Sequence, residues 1–245
     1  EHAIRGQLGT VVSLTLKRHG SETPTTVQVT RAEIHVPSVR SRIENGIEYV
    51  RLSDFGTNSA DEVRTAFLDG KKHNVRGYIL DLRFNGGGLL DAAVDISSLF
   101  ISQGPIVSTI DRAGARDVRS ATGRTIGAKP LVVLVNKYTA SASEITAGAV
   151  QDYGVGTLVG EKTFGKGVVQ SLYTLPDKGA LKITTARYVT PKGRDIHHKG
   201  IVPDVIVTQR VDLPGMIDTA ADKQLSAAKK IIESKSTCLL YTSPS

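Results

Sequence analysis

Tryptophan is absent from the 245 residues, methionine occurs once (Met216) and cysteine once (Cys238). A lone cysteine excludes an intrachain disulfide and any metal module built from several thiolates. Aromatic residues make up only 5% of the chain, and its longest purely aliphatic run is Leu131 to Val135. Nothing approaches the ~18 consecutive apolar residues of a membrane-crossing helix. Charge of one sign is also not in large excess: 31 Lys plus Arg against 24 Asp plus Glu gives +7. The basic residues are scattered and no arginine stripe carries interleaved aromatics, so they read as a solubilising surface and not as a nucleic-acid footprint. With 40% hydrophobic and 22% charged residues the chain has the composition of a folded domain. Glycine is abundant, at 24 residues, and points to tight turns or to backbone held close to a ligand.

Both ends carry expectations. The chain begins at Glu1 and has no methionine before Met216, so its natural start, with any signal peptide, is expected upstream. The terminal run Cys238-Leu-Leu-Tyr-Thr-Ser-Pro-Ser245 reads as the in-frame translation of a transposase-type sequencing adaptor. It is expected to be foreign to the protein and uncoupled from the fold. The remainder then has no cysteine, which suits an extracytoplasmic protein without requiring one.

Hydrophobic patterning places strands at Val11–Lys17 and Thr26–Thr30, joined as a hairpin through His19-Gly20-Ser21-Glu22, and another at Ile47–Phe55. Ser59-Ala-Asp-Glu62 is a capping box opening a helix to about Asp69, closed by Gly70. Gly77–Leu82 is a short apolar strand, followed by Gly86-Gly87-Gly88 and a helical stretch at Leu89–Ile101. Leu131–Val135 and Thr157–Val159 read as strands on either side of a helix at Ser141–Asp152. This alternation predicts an α/β fold with parallel strands buried on both faces. Val168–Leu172 and Ala180–Val189 have no helix between them and are expected to pair antiparallel; Thr219–Ile232 is expected to be a closing helix.

Ligands of open α/β sheets sit beyond the carboxyl ends of the strands. Three loops compete for that place: Arg83–Gly88, Asn136–Glu144 and Gly160–Gly167. The last comes close to a phosphate-binding loop, but Gly167 stands where a Ser or Thr would hold magnesium and Val168 onward reads as strand, not helix. Ser141 sits where a strand turns into a helix. Ser141-x-x-Glu144 is itself a capping box, and residue type alone favours that reading. As a nucleophile, Ser141 would have free N–H groups of the helix start beside it and a glycine loop as second wall, the makings of an oxyanion hole. A base is needed. None of His2, His19, His35, His73, His197 and His198 falls at a strand end beside these loops. Lys166 is the alternative; a lysine, with an ordinary pKa near ~10.4, serves only where burial favours its neutral form. A solvated loop lysine is the plainer reading of its residue type.

Thr139-Ala-Ser-Ala-Ser-Glu-Ile145 followed by Gly160-Glu-Lys-Thr-Phe-Gly-Lys-Gly-Val-Val-Gln170 resembles the carboxyl-terminal processing peptidases, or tail-specific proteases. Leu80–Leu89, Thr184–Gly193 and Gly200-Ile-Val-Pro-Asp204 resemble further signatures of that family, so the likeness covers most of the chain. It implies a layered core with a mixed β-sheet flanked by helices, of crotonase or Clp-protease type. It implies that Ser141 is the nucleophile, Lys166 the general base 25 residues on, and Gln170 the residue orienting the lysine. On a strand, Lys166 and Gln170 would share a face. The oxyanion donors carry over to the N–H groups of Gly87 and Ala142; where Gly86 stands the family usually has proline. Residues 1–32 resemble the C-terminal half of a PDZ domain whose carboxylate-binding loop would lie before Glu1; 33–237 would form the peptidase core, with cap and catalytic regions, and 238–245 the adaptor tail. The implied partners are protein or peptide substrates with apolar C-terminal tails, with a regulatory partner or homo-oligomer left open, no nucleic acid, no metal and no cofactor. The implied location is the periplasm or cell envelope. The alternatives are a catalytically silent, PDZ-linked peptide-binding scaffold and an acyl-CoA-handling enzyme on a similar fold.

Overall fold

The computed structural model describes residues 4–20, 23–33, 36–176, 179–209, 217–219 and 221–241. The chain divides into two compact units, 1–37 and 38–245. In the first, β1 (Val11–Leu16) and β2 (Thr25–Thr30) form an antiparallel hairpin in the register Val12↔Val29 and Leu14↔Val27. Arg31 closes its base, donating to Ile4 O at 2.8 Å and Thr10 Oγ1 at 2.8 Å.

The second unit holds two sheets. The larger has six strands in the order β12 (Val205–Ile206), β9 (Thr157–Gly160), β8 (Leu131–Val135), β5 (Gly77–Asp81), β4 (Ile47–Leu52) and β3 (Val39–Glu44). All its pairings are parallel except β3 with β4, so the sheet is mixed. The smaller sheet is antiparallel, with β10 (Val168–Thr174), β11 (Ala180–Val189), β6 (Pro105–Asp111) and β7 (Arg116–Ser120) in that order. Four helices complete the fold: α1 (Ser59–Lys72), α2 (Leu90–Ser98), α3 (Ala142–Tyr153) and α4 (Lys223–Tyr241). None of the described helices is long and apolar enough to cross a membrane.

Every residue of β8 is buried, and the two-residue period of a strand divides them between two cores. Leu131, Val133 and Val135 pack with Phe67 of α1, Ile96 of α2 and Ala147 of α3. Val132 and Leu134 face the other way and pack with Leu225, Ala228 and Ile232 of α4. A continuous apolar run is what a strand covered on both faces requires.

Several element ends differ from expectation. Gly70 does not stop α1, which continues to Lys72; it lies inside the helix, where an added Cβ would sit 2.9 Å from Glu48 Cβ, so close packing leaves the position to glycine. The expected box at Ser59 is displaced too, since Asn58 holds the N-cap position and Ser59 Oγ donates backwards to Gly56 O at 2.8 Å. The strand from Ile47 ends at Leu52, and Phe55 instead bridges to Gly88. The backbone of α4 runs on to Tyr241, past the expected end at Ile232.

The end of β5 is locked to the start of α4 by a buried ion cluster. The fully buried Arg83 guanidinium lies 2.6 Å from Asp81 Oδ2 and 2.9 Å from Asp222 Oδ2, and donates also to Gln224 Oε1 at 3.1 Å. Tyr49 OH completes it with a 2.7 Å bond to Asp81. Removing one member would strand a charge without water, a loss of about 3–5 kcal/mol. This cluster fixes the strand end from which the glycine loop departs.

Candidate active site

Parallel pairing puts the ends of β5, β8 and β9 on one edge, and the three loops predicted to compete for the ligand position all start there. They are hydrogen-bonded to one another. Ala140 N–H donates to Asn85 O at 3.0 Å, Ser143 Oγ to the same oxygen at 3.0 Å, and Phe164 N–H to Thr139 O at 3.0 Å.

The glycine loop is shaped by contact. Phe55 N–H donates to Gly87 O at 3.0 Å and Leu89 N–H to Phe55 O at 2.7 Å. Gly87 has φ +103° and an added Cβ would lie 2.7 Å from Ser141 Cβ; Gly88 has φ +148° and a Cβ would meet Phe55 O at 2.4 Å. Both the dihedral and the space exclude other residues there. Nothing lies within 4 Å of a Cβ on Gly86.

Ser141 sits at the N-cap of α3 with φ 58° and ψ −119°. A β-carbon residue at positive φ is strained, and such strain gathers at reactive sites. The strained strand-to-helix turn exposes the serine hydroxyl, as a nucleophile requires. The capping partner is present as well. Glu144 accepts from Ser141 N–H at 2.9 Å, which is the capping interaction the sequence suggested.

Glu144 does more than cap. Its buried carboxylate accepts from Thr163 Oγ1 at 2.5 Å, Gly165 N–H at 2.7 Å and Lys166 N–H at 2.8 Å. One side chain thereby sets the backbone of Ser141 and of Lys166 together.

Tyr188 of β11 is the second residue that the sequence reading passed over. Its Oη lies 2.5 Å from Lys166 O and 3.1 Å from Ser141 Oγ. Burial pushes its pKa up to about 12, so it keeps its proton. A phenol has one proton and a carbonyl has none. The proton therefore goes to Lys166 O, and the serine hydroxyl donates to Tyr188 Oη. Sequence contained this residue only as part of the Thr184–Gly193 run; what singles it out is the fold of β11 back over Ser141.

Ser141, Lys166, Gln170 and Tyr188 line one cleft of about 310 Å³, whose walls include Leu90 and Val169. Lys166 is half-buried and Gln170 exposed. Among the described residues, Lys166 Nζ makes no hydrogen bond or ion pair, and Ser141 Oγ meets Tyr188, not the lysine. The expected strand parity between Lys166 and Gln170 does not apply. Lys166 precedes β10, and the register of β10 on β11 shifts between Val169 and Gln170. Both side chains line one cleft all the same.

Gly87 N–H donates to Asn85 Oδ1 at 2.9 Å, so the side chain two residues earlier holds that amide. Ala142, the first residue of α3, has no intrahelical acceptor for its N–H. The histidine pair read as remote from the loops is adjacent to one: His198 N–H donates to Gly165 O at 2.8 Å, and a Cβ on Gly167 would lie 2.6 Å from His197 N. It is the backbone of the pair that supports the lysine loop; neither imidazole bonds to Ser141 or Lys166. Gly160–Gly167 leads into strand β10, which leaves it without the helix start of a phosphate loop. Among the described residues no group of three or more His, Cys, Asp or Glu converges as a metal site.

The chain is similar to several known proteins. A carboxyl-terminal-processing protease of Picosynechococcus is 43% identical over 233 residues, covering 94% of this chain and 56% of its own length. That of Synechocystis is 43% identical over 234 residues, covering 94% and 55%. The chain thus spans about half the length of the curated relatives it matches. A solved photosystem II D1 C-terminal processing protease superposes with a TM-score of 0.66 at 37% identity, over 83% of this chain and 57% of that one. The description of peptidase family S41 matches residues 46–207, the stretch that carries all three loops and the cleft. On that match and on those relatives, the chain belongs to peptidase family S41.

Proposed function

We propose that this chain carries the catalytic centre of a serine endopeptidase that cuts proteins near their carboxyl termini with a Ser–Lys dyad. The observation that carries the reading is Ser141 at positive φ, beside a cleft that also receives Lys166, whose Nζ makes no hydrogen bond or ion pair among the described residues. Ser141 Oγ attacks the scissile carbonyl and its proton passes to neutral Lys166 Nζ. The C–N bond breaks as Lys166 returns that proton to the leaving amine, and water hydrolyses the acyl-enzyme by the same route in reverse. Gln170 orients the lysine. Ala142 N–H and Gly87 N–H line the oxyanion hole, the latter once it turns from Asn85 Oδ1 to the developing charge; one such donor contributes about 3 kcal/mol. Before attack the serine proton turns from Tyr188 Oη to Lys166 Nζ. The centre uses no metal or cofactor.

The hairpin β1–β2 and its flanks are read as the second half of a PDZ domain, which would take a peptide by strand addition. Substrates are then polypeptides with apolar carboxyl tails, met outside the cytoplasm. A fluorophosphonate probe tests the centre. It should label the chain at Ser141, and the Ser141→Ala and Lys166→Ala variants should stay unlabelled while folded. An unlabelled native chain would favour the silent, peptide-binding scaffold.

A further inference from the structure

Each of the three loops that build the site carries one aromatic residue. Phe84 follows β5, Tyr138 follows β8 and Phe164 follows β9. They are two of the chain's five phenylalanines and one of its seven tyrosines. The other three phenylalanines, Phe55, Phe67 and Phe100, pack in or against the core, whereas Tyr138 is 43% and Phe164 64% exposed. Phe84 and Tyr138 stack, with centroids 5.2 Å apart and planes at 20°. One atom sets both backbones: the buried Asn136 Oδ1 accepts from Phe84 N–H and from Tyr138 N–H, each at 3.1 Å. Phe84 has φ 62°, an outlier for a bulky residue, and it carries that strain with its ring left half-buried. None of the three is among the residues lining the Ser141 cleft. Apolar rings held outside the core by a buried amide and a strained dihedral are preorganised for a guest.

We propose that Phe84, Tyr138 and Phe164 form a platform for an aromatic side chain of the polypeptide that Ser141 attacks, within about three residues of the scissile bond. The inference rests on the proposed proteolysis and adds a side-chain preference to it. Chain connectivity makes the substrate the occupant. Tyr138 is three residues before Ser141 and Phe164 two before Lys166, so their Cα atoms lie within about 11 Å and about 7 Å of those residues. An extended substrate advances about 3.3 Å per residue, so one fixed over Ser141 reaches the platform within about three residues of the bond. Lys137 Nζ lies 5.2 Å from the Tyr138 centroid, and an ammonium beside ring faces favours an aromatic guest over an aliphatic one. The subsite reads a side chain near the cut and is indifferent to where the substrate ends.

The test walks a single phenylalanine through a peptide otherwise made of Ala and Ser, one position at a time on both sides of the bond. All peptides are C-terminal amides, so a free chain end contributes nothing. The cut is located by mass spectrometry, and kcat/KM is compared with that of the alanine parent. Phenylalanine should raise kcat/KM about tenfold at one position within three residues of the bond, and leucine there should raise it less. In the whole chain, Tyr138→Ser and Phe84→Asn, the latter a residue tolerated at positive φ, should each bring the phenylalanine-to-alanine ratio down to about one. Tyr138→Phe should keep it. A stack that only braces the loops would slow both peptides alike and leave the ratio intact. A ratio that survives Tyr138→Ser, no position that prefers a ring, or variants that change only the oligomeric state in sedimentation overturns the proposal. Peptide binding to the whole chain carrying Ser141→Ala separates the two readings. Tighter binding of the ring-bearing peptide, lost on adding Tyr138→Ser, together with no cleavage by the native chain, would refute the protease reading and leave the platform standing.

Discussion

Tyr188 Oη stands 3.1 Å from Ser141 Oγ while giving its only proton to the carbonyl oxygen of Lys166, 2.5 Å away. One phenol thus touches Ser141 and the backbone of Lys166, the residues proposed as nucleophile and base. It holds the serine hydroxyl in a fixed rotamer and the lysine loop at a fixed height. Because burial keeps the phenol protonated, it acts by position and not as a base. Tyr188→Phe removes both bonds and keeps the ring. We expect kcat to fall about tenfold, the equivalent of one hydrogen bond, with KM nearly unchanged. Steady-state kinetics on a short peptide would show it; an unchanged kcat would mean that the 3.1 Å contact is incidental.

Glu144 is a stricter case. Three backbone N–H groups and the Thr163 hydroxyl converge on its carboxylate. Glu144→Gln keeps the shape but turns an NH₂ group toward donors. At least one buried N–H then loses its acceptor, at about 1–3 kcal/mol. Thermal unfolding should drop by several degrees and kcat by at least about 100-fold, since both Ser141 and Lys166 lose their anchor. Native turnover in this variant would show that the two loops are held by something else.

The three glycines of the loop after β5 should separate cleanly. Gly86→Ala places its Cβ in open space and should leave turnover within about twofold. Gly87→Ala drives a methyl into Ser141 and Gly88→Ala drives one into Phe55 O, both at positive φ. Each should abolish activity and lower stability by more than about 1 kcal/mol. Equal effects at all three positions would contradict the loop geometry.

Glu48 of β4 gives a pH test remote from the cleft. It is buried, its Oε2 has no hydrogen-bond partner among the described residues, and burial, aided by Asp69, pushes its pKa up to about 7. A carboxyl raised in this way holds a proton in the folded chain that the unfolded chain has already released. Its contribution is fully present below about pH 4.5, its unfolded value, and is lost as pH rises through 7. Glu48→Gln should therefore leave the melting temperature nearly unchanged at pH 5 and raise it at pH 8, by about 1–2 kcal/mol of stability. An equal gain at both pH values would rule out the titration as the cause.

Much of this architecture was legible in the order of residues. The apolar blocks at Gly77–Leu82, Leu131–Val135 and Thr157–Val159 became the central strands, because burial on both faces leaves no polar positions to blur the pattern. Strands β3, β6, β7 and β12 were missed: Val-Arg-Ser-Arg-Ile-Glu of β3 and Arg-Asp-Val-Arg-Ser of β7 look like loops, since each lies at a sheet edge and faces water, β12 has only two residues, and β6 lies inside the smaller sheet beside β7. Gly70 misled in the opposite direction, a close-contact glycine read as a stop signal. At the site, Ser141 and Lys166 could be named from their runs and from a family likeness. Glu144 was assigned to its local capping role alone. Tyr188 lies 47 residues from Ser141, and only the return of β11 over the start of α3 brings them together. Contacts that depend on a strand register leave no periodic trace in the sequence.

The most direct test of the proposed Ser–Lys centre is the rate at which the Lys166→Ala chain hydrolyses a peptide that the native chain cuts, with folding checked by its melting temperature. The account predicts a folded protein whose rate falls by at least about 1,000-fold, as low as that of Ser141→Ala, with the double variant no worse than either, because the two residues act as one unit. A folded Lys166→Ala chain turning over at the native rate would contradict it.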